Sequence, residues 1–255
     1  MELKEIVEQM EGKEFVGYCT PGCGSLLGLR LLVQSLGKFI LVNSPGCVSI
    51  NKNSLKMPYA NLGFNAAAAA SGIARSTNEL VVVYSGDGAT QMHVSSLIEA
   101  CNRNDKILYV CYNNMAYSAI DYLSPERSLV KSVAPYARYA ATASVAYAED
   151  FIEKINKAVL LDGVKFIEVL APCPSVTGFD MSNTVEVARL ATECGIWPVF
   201  DVESKKLGMT KRPLRMEPVS RFYSAIKIHL KDEEMQRLQD KTNKNWKSLS
   251  EGKLL

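Results

Sequence analysis

The feature that most constrains this chain is a set of short, continuously apolar, β-branched runs separated by helix-length stretches. Lys38 to Val42, Leu80 to Tyr84, Ile107 to Tyr112 and Lys165 to Leu170 read as strands. They lack the polar alternation of a half-solvated sheet, so both faces must be covered. Ser25 to Ser35, Gly63 to Ser76, Met92 to Arg103 and Ala148 to Leu160 read as the helices that cover them. Strand and helix in alternation predict an α/β fold: a doubly wound, mostly parallel sheet with right-handed crossovers. In such sheets ligands bind beyond the carboxyl ends of the strands. Residues Ser204 to Pro218, with Gly208, Pro213 and Pro218, read as a linker or extended arm, and Asp232 to Leu249 as a last helix. The expected division is an α/β domain over 1–203 and a basic C-terminal arm and helix over 204–255. No internal repeat is visible.

Composition excludes several classes. With 47% hydrophobic and 22% charged residues, the chain can bury a core and is not disordered by composition. The longest uncharged apolar run, Phe64 to Ala74, is Ala-rich and shorter than the roughly 20 residues a membrane span needs. Met1 to Glu14 is charged without an apolar stretch, so the expected location is the cytoplasm, with neither membrane nor nucleic acid as partner. The net charge of +2 is unevenly spread. From Ser204 onward there are 13 Lys/Arg against 6 Asp/Glu, leaving 16 against 21 for the rest from chain totals of 29 and 27. The basic tail has no interleaved aromatics, which favours packing on a partner subunit over nucleic acid.

Two strand-end loops carry the chemistry. Ser85-Gly86-Asp87-Gly88-Ala89 follows the second strand, and Asn113-Asn114-Met115-Ala116 follows the third, so both leave one edge of the sheet. A carboxylate and an amide oxygen converging there form a ligand set for magnesium. Gly86 and Gly88 allow a tight turn and close approach of backbone N–H groups to an anion, and a helix beginning near Gln91 points its positive end at the same place. A diphosphate bridged by magnesium fits; a plain Asp-Gly turn beside a polar loop is the structural alternative. Four of the seven cysteines also lie in loops. Cys19 and Cys23 precede a helix, Cys47 follows the first strand and Cys173 the last, and these thiols suit a [4Fe–4S] cluster or a structural zinc. Cys101, Cys111 and Cys194 fall inside elements, as buried inert thiols do. Of the two histidines, His93 lies one turn beyond Asp87 and His229 near the basic tail.

Gly86-Asp87-Gly88 followed by Asn113-Asn114 resembles the thiamine diphosphate motif. More narrowly, Ile107 to Tyr117 is similar to the β subunits of pyruvate:ferredoxin oxidoreductase and its 2-oxoacid:ferredoxin relatives. So are Asn65 to Gly72, Tyr139 to Tyr147 with Glu149-Asp150-Phe151, Ala171-Pro172-Cys173-Pro174-Ser175, Ala188 to Ala191 and Pro218-Val219 with Arg221-Phe222. The resemblance implies thiamine diphosphate held at Gly86, Asp87, Gly88, Ala89, Asn114, Ala116, Tyr117 and Cys47. Its magnesium would sit on Asp87, Asn114 and the Ala116 carbonyl, and a [4Fe–4S] cluster on Cys19, Cys23, Cys47 and Cys173. It further implies oxidative decarboxylation of a 2-oxoacid, coenzyme A as acyl acceptor, and ferredoxin as electron acceptor. A pyrimidine-domain α subunit would supply the activating Glu, alongside γ and ferredoxin-like δ subunits.

There are two departures from the family pattern. The first cysteine pair, Cys19-Thr20-Pro21-Gly22-Cys23-Gly24, has an extra residue. After Tyr117 the family's Asn-Thr-Gly-like segment is replaced by Ser118-Ala119-Ile120-Asp121, so an amide is missing at Ala119, and Ser118 and Asp121 become the nearest polar candidates for orienting substrate. The substrate therefore stays open among pyruvate, oxalate and aromatic or other 2-oxoacids. A non-redox thiamine-dependent decarboxylase or synthase subunit would need no cysteines, and a zinc-stabilised assembly subunit would need neither Asp87 nor Asn114.

Overall fold

A computed structural model describes residues 19–49, 57–114 and 128–254. Eight strands form one sheet: β1 (Phe39–Asn43), β2 (Tyr59–Asn61), β3 (Leu80–Gly86), β4 (Ile107–Asn113), β5 (Tyr139–Ser144), β6 (Lys165–Leu170), β7 (Val199–Glu203) and β8 (Lys206–Lys211). Their spatial order is β2-β1-β3-β4-β6-β5-β7-β8. The six strands from β2 to β5 in that order run parallel, while β7 and β8 add an antiparallel edge. The doubly wound α/β expectation is met.

The apolar strands are buried on both faces, as their unbroken hydrophobicity requires. Leu41, Val82, Tyr84, Val110 and Ile167 enter one core layer, and Val42, Val81, Val83, Tyr109 and Phe166 the other. Helix α1 (Gly24–Ser35), α6 (Ala148–Val159), α8 (Thr184–Glu193) and α9 (Val219–Ala225) pack on the first face. Helices α2 (Ala66–Ser76), α4 (Val94–Asn102) and α5 (Leu129–Val133) pack on the second. Helix α2 starts three residues later than expected because Asn65 caps it, its Oδ1 accepting the Ala68 N–H at 3.1 Å.

The expected helix from Met92 is two helices. A short α3 (Asp87–Met92) begins directly at the strand end, and the chain breaks at His93 before α4. Strand β5 was not anticipated because Tyr-Ala-Ala-Thr-Ala-Ser is poor in β-branched residues; all six positions are buried between β6 and β7.

The expected linker is also corrected. Instead of running extended, Lys206–Lys211 returns along β7 as an antiparallel strand. Ser204 and Lys205 make the two-residue turn with φ of +51° and +64°, the left-handed pair that a type I′ hairpin needs. Neither is the Asn or Gly that advertises such a turn. β8 exposes alternate residues, with Lys206 and Lys211 at its ends, which blunts an open sheet edge. Beyond it, Val219, Phe222, Tyr223 and Ile226 are buried in the first core layer. The last helix, α10 (Asp232–Ser250), sets Leu249 into the second layer, and its Asn245 accepts from Lys131 Nζ at 2.7 Å. No described helix is long and apolar enough to cross a membrane.

Candidate functional site at the carboxyl edge of the sheet

Parallel pairing of β1, β3, β4 and β6 brings their carboxyl ends to one edge. Asp87 is the first residue of α3 and Asn114 the first residue past β4; both are buried. At the neighbouring strand ends, Ser44 and Ser85 hydroxyls meet at 2.6 Å, and Thr90 Oγ1 donates to the Gly86 carbonyl at 2.8 Å. Because α3 begins at Asp87 rather than near Gln91, the carboxylate itself lies in its first turn. Gly86 has an ordinary φ of −73°, so a strained turn is not the reason for glycine there. A Cβ would lie 3.2 Å from the Tyr112 ring.

The cysteine loops leave the same edge. Cys47 follows β1, and Cys173 precedes the single-turn helix α7 (Pro174–Thr177) after β6. The Cys19–Cys23 loop is fastened to the latter segment by bonds that involve no thiol. Thr20 and Ser175 hydroxyls lie 2.7 Å apart, Thr184 Oγ1 donates to the Gly22 carbonyl at 2.5 Å, and the Gly24 N–H donates to the Pro172 carbonyl at 3.1 Å. Within this loop Gly22 takes φ +74°, and any Cβ there would fall 2.1 Å from the Met181 carbonyl oxygen.

Cys19 and Cys173 each act on both Cys23 and Cys47, and Asp87 acts on Cys47. Burial, reinforced by Cys19 and Cys173, pushes the Cys23 thiol up to about 12. Among the described residues, no three His, Cys, Asp or Glu side chains are gathered closely enough to hold a single metal ion. Cys101, Cys111 and Cys194 are buried, and burial raises each of these thiols, as expected of inert packing. His93 is half-buried at the break between α3 and α4, and His229 is exposed. Ala116, Tyr117, Ser118, Ala119 and Asp121 lie outside the described residues.

Three further residues belong to this edge. Glu168 on β6 is fully buried; its Oε1 accepts from Asn113 Nδ2 at 3.0 Å, and its Oε2 from Ser128 Oγ at 3.2 Å and the Val130 N–H at 3.3 Å. Burial raises its carboxyl to about 7, the Asp87 charge adding to the effect and the three hydrogen bonds opposing it. A charged residue inside the apolar run Lys165 to Leu170 was the available signal. Asn43, the last residue of β1, is fully buried with neither side-chain oxygen nor nitrogen partnered. An orphaned buried amide is rare in a folded chain, and this one lies in the layer just beneath the strand ends. Tyr112 fills the space between Gly86 and Gly46.

A buried carboxylate, amides and polar strand ends at this edge are what a diphosphate-bearing cofactor requires. Residues 51–169 match the family described as thiamine pyrophosphate enzyme, C-terminal TPP binding domain. The fold is also seen in 2-oxoglutarate:ferredoxin oxidoreductase from Magnetococcus marinus, with a TM-score of 0.57 at 19% identity over 88% of this chain and 92% of that one. Fold and motif thus define a thiamine diphosphate-binding α/β protein. The chain is 34% identical to pyruvate synthase subunit PorB of Methanothermobacter marburgensis, over 86% of its own length and 90% of that subunit. It is 31% identical to the PorB of Methanocaldococcus jannaschii, over 86% and 89%, and 28% identical to ketoisovalerate oxidoreductase subunit VorB of Pyrococcus horikoshii, over 96% and 95%. The chain belongs to this family, the thiamine diphosphate-binding subunits of 2-oxoacid:ferredoxin oxidoreductases.

Proposed function

We propose that this chain holds thiamine diphosphate through magnesium on the Asp87 and Asn114 side chains and the Ala116 carbonyl, beside a [4Fe–4S] cluster on Cys19, Cys23, Cys47 and Cys173. The substrate is pyruvate or a related 2-oxoacid, decarboxylated oxidatively with coenzyme A taking the acyl group and ferredoxin the electrons. The observation that carries the reading is the meeting of Asp87, Asn114 and the Cys47 and Cys173 loops at one sheet edge, with Asp87 close enough to act on Cys47. Thiamine diphosphate supplies an electron sink for decarboxylation when bound, and an adjacent cluster takes electrons singly.

This chain's residues have definable parts in that arrangement. Asp87 and Asn114 provide hard oxygen ligands for a divalent cation. Thr20, Ser175 and Thr184 fasten the loops of Cys19, Cys23 and Cys173 before any cluster arrives. The pyrimidine pocket and activating Glu are assigned to a separate α subunit, with γ and ferredoxin-like δ subunits completing the complex and the basic C-terminal region contributing to its contacts.

The test is metal and cofactor analysis of the complex purified without oxygen. Thiamine, magnesium and about four irons attributable to this chain are expected. Asp87→Ala should lose thiamine while the chain stays folded; undiminished thiamine in that variant, or zinc in place of iron, would overturn the corresponding assignment.

A further inference from the structure

Two stacked tyrosines lie between the loop that carries Asp87 and the loops that carry the cysteines. Their ring centroids are 5.0 Å apart at an interplanar angle of 32°. Tyr84 reaches toward α1, where its hydroxyl donates to the Ser25 carbonyl at 2.7 Å, two residues beyond Cys23. Tyr112 reaches the opposite way: its hydroxyl lies over Gly46 next to Cys47, and its ring lies against Gly86 next to Asp87.

Three glycines make room for this pair. A Cβ on Gly28 would come within 2.6 Å of the Tyr84 hydroxyl, one on Gly46 within 2.9 Å of the Tyr112 hydroxyl, and one on Gly86 within 3.2 Å of the Tyr112 ring. None of the three has a left-handed φ, so tertiary packing rather than backbone conformation accounts for the missing side chains.

We propose that Tyr112, braced by Tyr84, is a positioning residue that fixes the spacing between the Gly86–Asp87 turn and the Cys47 loop, and so between the thiamine site and its electron acceptor. The inference rests on the cluster assignment made above. Fully buried rings in close-packed surroundings transmit displacement instead of absorbing it. A shift at the end of β4, where Tyr112 lies two residues before Asn114, is therefore passed to the Cys47 loop through the hydroxyl's contact at Gly46 and to the Asp87 turn through the ring's contact at Gly86.

The experiment compares the assembled complex containing wild-type chain, Tyr112→Phe, Gly46→Ala and the two substitutions together. Iron and thiamine contents, the electron paramagnetic resonance spectrum of the reduced cluster, and the rate of cluster reduction after a pulse of 2-oxoacid without coenzyme A are recorded. Tyr112→Phe keeps the ring and should keep iron and thiamine. Loss of its hydroxyl, which packs over Gly46, should alter the spectrum and slow cluster reduction by roughly 2- to 10-fold. Gly46→Ala alone should do more harm, since its Cβ meets the hydroxyl. The same substitution in the Tyr112→Phe background should be nearly silent, because the obstructing oxygen is gone.

Equal damage by Gly46→Ala in both backgrounds, or an unchanged spectrum and rate in Tyr112→Phe, would overturn the positioning role while leaving the cluster in place. A wild-type complex without iron would overturn the cluster reading itself, and the inference with it.

Discussion

Glu168→Gln removes a carboxylate that is fully buried behind the cofactor edge, and its effect should depend on pH in a way that can be worked out. Burial, with the Asp87 charge, raises the Glu168 carboxyl from 4.5 to about 7, against the opposing bonds from Asn113, Val130 and Ser128. The folded chain therefore binds this proton more tightly than the unfolded chain. Stability from this group is full below about pH 4.5 and falls as pH rises toward 7, because the unfolded carboxyl ionises freely while the buried one resists. At 1.36 kcal/mol per pKa unit the whole interval corresponds to about 3 kcal/mol, of which about 2 to 3 kcal/mol is lost between pH 5 and pH 8.

Glutamine preserves the shape and can still accept from Asn113 Nδ2, but its amide turns a donor toward the Val130 N–H, a pH-independent loss of about 1–3 kcal/mol. Glu168→Gln should thus be the less stable protein near pH 5 and draw level with, or pass, wild type near pH 8. Urea unfolding followed by the fluorescence of Trp197 and Trp246, in buffer without magnesium or thiamine diphosphate, measures the difference at each pH. Parallel pH curves for the two proteins would refute the reasoning.

Cys173→Ser should lower the iron content of the complex and leave its thiamine content unchanged; full iron retention would remove Cys173 from the ligand set. Because an amide is missing at Ala119, pyruvate should be oriented by fewer hydrogen bonds. Ala119→Asn should shift kcat/KM among pyruvate, 2-oxoglutarate, branched and aromatic 2-oxoacids and oxalate by roughly 5- to 150-fold, and a strict, efficient pyruvate preference in wild type would count against the idea. Ending the chain after Glu203 strips β8 from the sheet edge and removes Phe222 and Tyr223 from the core, about 1.5–3 kcal/mol for each aromatic side chain. The truncated chain should be unfolded or insoluble, not merely unable to assemble, and a soluble truncation with an unchanged melting temperature would disprove it.

Much of this protein was legible in its sequence because the deciding signals are local. Continuous apolarity in Leu80 to Tyr84, Ile107 to Tyr112 and Lys165 to Leu170 specified buried parallel strands. Once strands and crossovers were assigned, Asp87, Asn114, Cys47 and Cys173 had to emerge at one edge. Where the answer depended on partners distant in the chain, only the tertiary structure decided it. Nothing in Tyr139–Ser144 marks a strand until β6 and β7 pair with its two edges, and Ser204-Lys205 does not resemble a hairpin turn until β8 pairs with β7. Glu168 owes its raised carboxyl to burial by the assembled core and to the charge of Asp87, 81 positions away. That Gly86 also lies against the ring of Tyr112, 26 positions further on, and Gly46 under the hydroxyl of the same residue, is visible only in the folded chain. Secondary structure follows from neighbours along the chain, but space inside a close-packed core is set by whichever side chains the fold brings there.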